Sequence, residues 1–309
     1  MTLLIVLPGR EDEARCLAAD LRTVDRGIEV WVWPEIGDPK DVEMVVASRH
    51  PRGLLDSFPN LRLVAAFGAG VEHLVGDPDL PEGVDVVRTV DSALANGMAE
   101  YVVAAVADWR RGTKVYLRDQ ELGRWRPRPY AFSSTVVLLG MGRMGLAVGQ
   151  ALGAVGHRVI GWSRSGRGAD GVECLAGRQA LQEVLPQADV VVCLLPLTPD
   201  TEGILGHELF LLMKEGSLLV NVGRGAHLAE DDLISALAEG RPGHAVLDVF
   251  REEPLPASHP FWKHPAITIT PHVAALTDPR GAAECIAENW QRLQAGEPLL
   301  DRVDRSQGY

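Results

Sequence analysis

Cysteine is scarce in this chain. Four thiols, Cys16, Cys174, Cys193 and Cys285, are scattered through 309 residues without a single Cys-x-x-Cys pair. That spacing suits neither a zinc site nor a disulfide framework and fits a reducing compartment. Long apolar runs are missing too: no uncharged stretch reaches the ~18 residues of a membrane span. Leu3 to Leu7 is too short, and lacks the basic flank, for a secretory signal. The expectation is a soluble, cytoplasmic protein. Positive charge is also short, because thirty basic against forty-two acidic residues leave a formal charge of −12. This argues against nucleic acid or an anionic membrane as partner, since both need a basic face. Lysine is almost absent: Lys40, Lys114, Lys214 and Lys263 stand against twenty-six arginines. Arginine is the planar, bidentate ligand of carboxylate and phosphate. Any anion bound here must meet locally placed guanidinium groups.

What is present is ordinary globular material. Hydrophobic residues at 46% and charged residues at 23% supply more than one core. At ~150 residues per domain the length suggests two domains. Short apolar runs alternate with helical patterns, the mark of parallel sheets covered by helices on both faces. Leu3 to Leu7, Glu29 to Val32, Met44 to Ala47, Leu63 to Ala66 and Val84 to Val87 read as strands of a first α/β unit, with a helix over Glu11 to Arg22. Asn96 to Arg111 reads as a buried helix. It leads to a basic, aromatic segment, Gly123 to Tyr130, that is either an exposed loop or a subunit contact. A second series follows, with strands at Val136 to Leu139, Arg158 to Trp162, Asp189 to Leu195, Ser217 to Val222, His244 to Phe250 and Ala266 to Thr270. A helix over Gly281 to Ala295 comes after a connection at Pro279.

The strand ending at Leu139 runs into Gly140-Met141-Gly142-Arg143-Met144-Gly145 and then into a helical pattern. Strand, glycine turn and helix in that order form a dinucleotide cradle, in which backbone amides and the helix N-terminus receive a pyrophosphate. A second match to the spacing, Gly166 to Gly171, lacks the apolar helix and is set aside. The strand after the first helix ends in Ser163-Arg164-Ser165-Gly166-Arg167 and carries no acidic residue. A carboxylate there would bind free ribose hydroxyls. Two hydroxyls with Arg164 or Arg167 suit a 2′-phosphate instead, so NADP(H) is expected ahead of NAD(H), which stays possible. The alternative is a solvated basic turn.

Ligands in open parallel sheets lie beyond the carboxyl ends of the strands. Three later strands end in reactive types: Gly223-Arg224-Gly225, where small neighbours would let the guanidinium turn; Asp248, followed by Arg251-Glu252-Glu253-Pro254; and Pro271-His272. Reducing a 2-oxo acid leaves an alkoxide that needs a proton, a task for histidine. A carboxylate raises and orients that imidazole, and an arginine grips the substrate carboxylate and polarises its carbonyl. Local physics does not choose between Glu252 and Glu253.

The glycine turn, LPLTPDT at Leu195 to Thr201, NVGRGAHL at Asn221 to Leu228, LDVFREEPLP at Leu247 to Pro256 and TPHVAA at Thr270 to Ala275 together resemble the D-isomer-specific 2-hydroxyacid dehydrogenases. GAGVEHL at Gly68 to Leu74, MAEYV at Met98 to Val102 and the WSRS turn are similar to the glyoxylate/hydroxypyruvate reductase group. The resemblance implies a Rossmann nucleotide-binding domain (97–280) inserted into a flavodoxin-like substrate domain (1–96 and 281–309). Both would be doubly wound parallel sheets whose closure excludes water. It implies Arg224, Glu253 and His272 as catalytic residues, with Arg224, His272 and the backbone of Ala69, Gly70 and Val71 on the substrate. It places cofactor contacts at Gly140 to Gly145, Ser163, Arg164, Ser165, Leu195, Pro196, Thr201, Val222, Gly223, Asp248 and His272. No metal is expected, the partner is a small 2-oxo or 2-hydroxy acid, and a homodimer is implied. A dehydrogenase for a larger or aromatic 2-oxo acid, with Arg49, His50 and Trp125 near its pocket, stays open. So does an NAD(P)-sensing binding protein, although a pure sensor does not require the Arg, Glu and His set.

Overall fold

The computed structural model describes residues 2–130, 133–166 and 172–308. The chain divides into two compact units, Met1–Leu94 with Thr277–Tyr309, and Ala95–Leu276.

The first unit holds β1 (Thr2–Val6), α1 (Glu11–Val24), β2 (Glu29–Val32), β3 (Val42–Ala47), β4 (Leu63–Ala66), α2 (Glu72–Val75), β5 (Asp85–Arg88) and the last helix of the chain, α9 (Pro279–Ala295). Its strands lie parallel in the order β2-β1-β3-β4-β5, the flavodoxin-like winding. Successive strand side chains point to opposite faces, so a strand buried on both sides reads as a continuous apolar run. Leu3, Ile5, Met44 and Leu63 pack with Leu17 and Leu21 of α1 and Ile286 and Trp290 of α9. Leu4, Val6, Val45 and Val64 pack on the other face with Leu55, Phe58 and Leu74. Pro279 begins α9 rather than ending a connection before it. Asp278 accepts the Gly281 N–H at 3.0 Å as N-cap, and Pro279 occupies a first-turn position whose N–H has no helical acceptor.

The second unit contains the rest of α3 (Ser92–Arg111), then α4 (Thr113–Glu121), β6 (Thr135–Leu139), α5 (Arg143–Ala154), β7 (Arg158–Trp162), β8 (Glu173–Leu175) and α6 (Arg178–Val184). After these come β9 (Val190–Cys193), α7 (His207–Leu212), β10 (Leu218–Asn221), α8 (Glu230–Ala238), β11 (His244–Leu247) and β12 (Ile267–Ile269). All seven strands are parallel in the order β8-β7-β6-β9-β10-β11-β12. Outward from β6 this is the Rossmann winding with one further strand, and the order reverses between β6 and β9. Val137, Leu139, Val191 and Leu219 face Phe210, Leu233 and Phe261. Val136, Leu138, Val190 and Val220 face Val102 and Val106 of α3 and Val148 and Leu152 of α5.

Several apolar runs outlast their strands. Leu195, Val249 and Phe250 are buried, but as loop residues folded over the end of the sheet. The ladders therefore stop at Cys193 and Leu247, and Asp248 stands just beyond β11 rather than within it. Edge strand β8 and helix α4 had no clear periodic signal. Among the described residues no helix is long and apolar enough to cross a membrane.

Candidate active site

Strand register assembles the site. Leu139, Cys193, Asn221, Leu247 and Ile269 are successive cross-strand partners, and Leu139 also pairs with Trp162. One more rung of backbone bonds follows: Gly140 to Trp162, Leu194 to Leu139, Val222 to Cys193, Asp248 to Asn221 and Thr270 to Leu247, at 2.8–3.2 Å. The segments carrying the glycine turn, Pro196, Arg224, Asp248 and His272 therefore leave the sheet in one row at its carboxyl edge.

In the glycine turn the three glycines have different reasons. Gly140 has φ 106, and a Cβ on it would stand 2.7 Å from the Leu194 carbonyl oxygen. A Cβ on Gly145 would stand 2.0 Å from the Gly140 oxygen, so the helix could not approach the strand. Gly142 has an ordinary φ of −77, and a Cβ there would meet nothing within 4 Å. Its bareness serves no contact within the chain; it leaves open the N-terminus of α5, which no side chain caps. That is the shape an approaching phosphate requires. Met141 lies over Gly161, while Arg143 and Met144 form the first turn of α5. After β7, Ser163 donates its N–H to Leu175 at 3.0 Å and sets its hydroxyl 3.4 Å from the Cys174 sulfur, and Arg164 and Ser165 are exposed. The described part of this turn holds no carboxylate; Arg167 lies outside the described residues.

Around Arg224 the structure corrects one expectation. Its glycine neighbours do not loosen the arginine; they are packed tight. A Cβ on Gly225 would stand 1.8 Å from the Phe250 carbonyl carbon, and one on Gly223 would stand 2.9 Å from Nδ1 of His227. The Arg224 guanidinium donates to the Gly223 carbonyl at 2.7 Å. Thr201 turns its hydroxyl to the Pro196 carbonyl at 2.7 Å, closing the loop after β9, and Leu195 and Val222 are buried beside it.

His272 has the left-handed φ of 55, a conformation that costs a residue with a Cβ about 1 kcal/mol or more. Asp248 holds it there. The His272 N–H donates to the Asp248 carbonyl at 2.8 Å, and the carboxylate, 1% exposed as a residue, accepts the N–H groups of Val273 and Ala274, both at 2.9 Å. Thr270 donates its hydroxyl to the same carboxylate at 2.5 Å, so Tyr101 of α3 must be the donor in its own 2.5 Å bond to Thr270. Burial holds the Tyr101 phenol above its ordinary pKa. The imidazole of His272 places Nδ1 2.7 Å from Oε2 of Glu253, whose Oε1 accepts the Phe250 N–H at 2.9 Å. Geometry thus chooses Glu253 over Glu252. Sequence reasoning overlooked Tyr101, Thr270 and His227, although each stands inside a motif that it used.

In the first unit, Ala69, Gly70 and Val71 follow β4, where Gly68 has φ 124. Among the described residues none accepts the N–H groups of these three. His50 is buried against Asp77 at 2.6 Å, a pairing that fills its Nε2. In the second unit Trp125 is 97% exposed.

A parallel seven-stranded Rossmann sheet with an open glycine turn, and a His–Glu pair at the same edge, defines a dinucleotide-dependent oxidoreductase. The family model for the D-isomer specific 2-hydroxyacid dehydrogenase, NAD binding domain, matches residues 103–274. The chain is 40% identical over 288 residues to glyoxylate/hydroxypyruvate reductase A of Serratia proteamaculans, covering 91% of this chain and 92% of that protein. Among solved structures, a D-isomer specific 2-hydroxyacid dehydrogenase from Xanthobacter autotrophicus in complex with NADPH and MES superposes with a TM-score of 0.95. The identity is 36%, and 100% of this chain and 99% of that one are covered. An NADPH-dependent glyoxylate/hydroxypyruvate reductase from Sinorhizobium meliloti, in complex with NADP and sulfate, gives a TM-score of 0.92 at 33% identity, with 100% and 99% covered. The chain belongs to the D-isomer specific 2-hydroxyacid dehydrogenase family.

Proposed function

We propose that this chain is an NADPH-preferring reductase of small 2-oxo acids, of the glyoxylate and hydroxypyruvate type, forming D-2-hydroxy acids, with NADH as the lesser cofactor. The observation that carries the reading is the 2.7 Å pairing of His272 with Glu253 at the carboxyl edge of the nucleotide sheet. The relatives named above support the substrate class and the cofactor.

His272 donates the Nδ1 hydrogen to Glu253, which leaves the proton on Nε2 as the one free to move. When bound, NADPH supplies the hydride that adds to the carbonyl carbon. The carbonyl oxygen takes the Nε2 proton, and His272 is left as the neutral imidazole, still tethered through Nδ1. Glu253 stabilises the imidazolium before transfer and holds the ring's orientation throughout. Arg224 is assigned to the substrate carboxylate and carbonyl, where a guanidinium offers a charge-assisted fork. The N–H groups of Ala69, Gly70 and Val71 are assigned as further donors to an anion. Gly140 to Gly145 and the N-terminus of α5 would hold the pyrophosphate. Ser163, Arg164 and Ser165 would hold the 2′-phosphate, and Leu195, Pro196, Thr201, Val222, Gly223 and Asp248 would line the nicotinamide half.

The assembly is proposed to be a homodimer. Leu117, Leu122 and Trp125 are exposed apolar side chains on α4 and the segment after it, a patch that a second copy would cover. Sedimentation of the wild type as a monomer at micromolar concentration would remove this part.

The test of the activity is steady-state turnover with glyoxylate, hydroxypyruvate and phenylpyruvate, each with NADPH and NADH. The small acids with NADPH should give the highest kcat/KM. His272→Ala should abolish turnover while NADPH, followed by its fluorescence, still binds. Near-wild-type turnover in that variant would sink the mechanism.

A further inference from the structure

His227 has no part in the chemistry above, yet its side chain bridges the loops after β9 and β10 through both of its ring nitrogens. It is fully buried, with 0% exposure. The Arg224 N–H points at Nδ1 from 3.0 Å, and Nε2 stands 3.2 Å from the Pro196 carbonyl. A backbone amide only donates and a carbonyl only accepts, so Nδ1 is the acceptor and the ring hydrogen sits on Nε2. Both partners fix the same tautomer. The third neighbour, the Cys193 sulfur, lies 3.6 Å from Nδ1. Burial pushes that thiol up to about 12, which keeps it an S–H group and excludes a reactive thiolate–imidazole pair.

Simple space filling does not account for this ring. A leucine would fill the volume, but would leave the Arg224 amide and the Pro196 carbonyl without these part-buried bonds. The bonds also join two segments with separate duties, because Arg224 is assigned to the substrate and Pro196 to the nicotinamide half. Thr201 already fixes the Pro196 carbonyl at 2.7 Å from the far side of its loop. Gly225, packed on the Phe250 backbone, fixes the other flank of Arg224. Backbone bonds from Gly203 to Ala226 and from Leu205 to the His227 carbonyl join the same two loops further along, and the His227 imidazole adds the side-chain link at Arg224 and Pro196 themselves.

We propose that His227 is a positioning residue: its imidazole sets the backbone from which Arg224 reaches the substrate and couples that backbone to the cofactor loop at Pro196. The proposal rests on the reductase reading, which assigns Arg224 to the substrate and Pro196 to the cofactor, and the binding measurements below test it apart from turnover.

Three variants separate the two bonds. His227→Leu removes both. His227→Asn keeps an acceptor near the Nδ1 position and loses the reach to Pro196; His227→Gln reaches toward Pro196 and loses the acceptor at Nδ1. The measurements are glyoxylate KM and kcat, the Kd of oxalate for the NADPH-loaded protein by calorimetry, the Kd of NADPH by fluorescence, and the unfolding midpoint. His227→Leu should raise glyoxylate KM and oxalate Kd by about tenfold and NADPH Kd by about threefold. His227→Asn should bring oxalate Kd back to within about threefold of wild type with NADPH still weakened, and His227→Gln should show the reverse pattern. Unchanged oxalate and NADPH affinities in His227→Leu would overturn the proposal. So would three variants whose constants track their loss of thermal stability and nothing else. If His227→Leu does not fold, the opposite patterns of Asn and Gln carry the decision. If the wild type fails to reduce glyoxylate, the reductase reading falls by itself, and the two binding measurements still decide His227.

Discussion

Replacing Asp248 by asparagine changes one oxygen into an NH2 group and tests what holds His272. In its better orientation the amide oxygen keeps the Thr270 hydroxyl and the Val273 N–H, and the new NH2 faces the Ala274 N–H, which stood 2.9 Å from the lost oxygen. A hydrogen bond to a charged acceptor is worth roughly 1.5–3 kcal/mol, and the stranded donor adds a penalty of similar size. Part of this is returned because a buried charge no longer has to be desolvated. A net loss of about 3 kcal/mol lowers Tm by roughly 6–12 °C in a unit of this size. The kinetic effect follows from the backbone. With its anchor weakened, the segment at φ 55 relaxes toward negative φ and takes the imidazole away from Glu253. Thermal unfolding and NADPH-dependent turnover are the assays, and kcat should fall by about tenfold or more, the equivalent of one lost catalytic contact. NADPH Kd should move much less than kcat. A variant with unchanged Tm and kcat, but weakened NADPH binding, would refute the anchoring argument. It would show that Asp248 acts on the nicotinamide alone.

Arg164→Ala should raise NADPH Kd by about tenfold or more and leave NADH within about twofold, since a charge-assisted fork to a phosphate is lost; equal losses in fluorescence titrations would remove the 2′-phosphate assignment. Gly145→Ala places a methyl 2.0 Å from the Gly140 oxygen and should yield little folded protein, whereas Gly142→Ala meets nothing within 4 Å and should fold normally and lose cofactor affinity. Circular dichroism and NADPH titration check that pair. His244 is held down at about 4, first by burial and then by the Lys114 ammonium 3.2 Å away, against an ordinary histidine value near 6.5. The native state therefore binds its proton later than the unfolded chain does. The stability it contributes is present above pH 6.5 and falls as the pH drops from 6.5 toward 4. Urea unfolding between pH 7 and 5 should show that slope, and His244→Gln should flatten it.

The legible parts of this molecule are those in which a local pattern is itself the cause of the structure. Runs such as Val136 to Leu139 and Val190 to Cys193 are apolar because both faces of a parallel strand are buried. The order of strand, glycine turn and helix was visible because two backbone constraints, at Gly140 and Gly145, and the bare Gly142 between them fall within six residues. Edge strand β8, Glu173–Leu175, pairs on one side only and carries no comparable pattern. The illegible parts depend on partners distant in sequence. Asp248 reads as an acid in an apolar run, but its carboxylate is spent on residues more than twenty positions later. His227 reads as one letter of a motif, and Tyr101 as one side chain of a buried helix. Each acquires meaning only when strand order sets β9 beside β10 and β11 beside β12. The choice of Glu253 has the same origin: two adjacent glutamates are equivalent to any local rule, and what separates them is a left-handed histidine nineteen residues away. The acidic balance of the chain does not oppose an anionic substrate and cofactor. Arg164 and Arg224 follow two parallel strands at the carboxyl edge of one sheet, and close charge at a fixed place outweighs distant charge screened by salt.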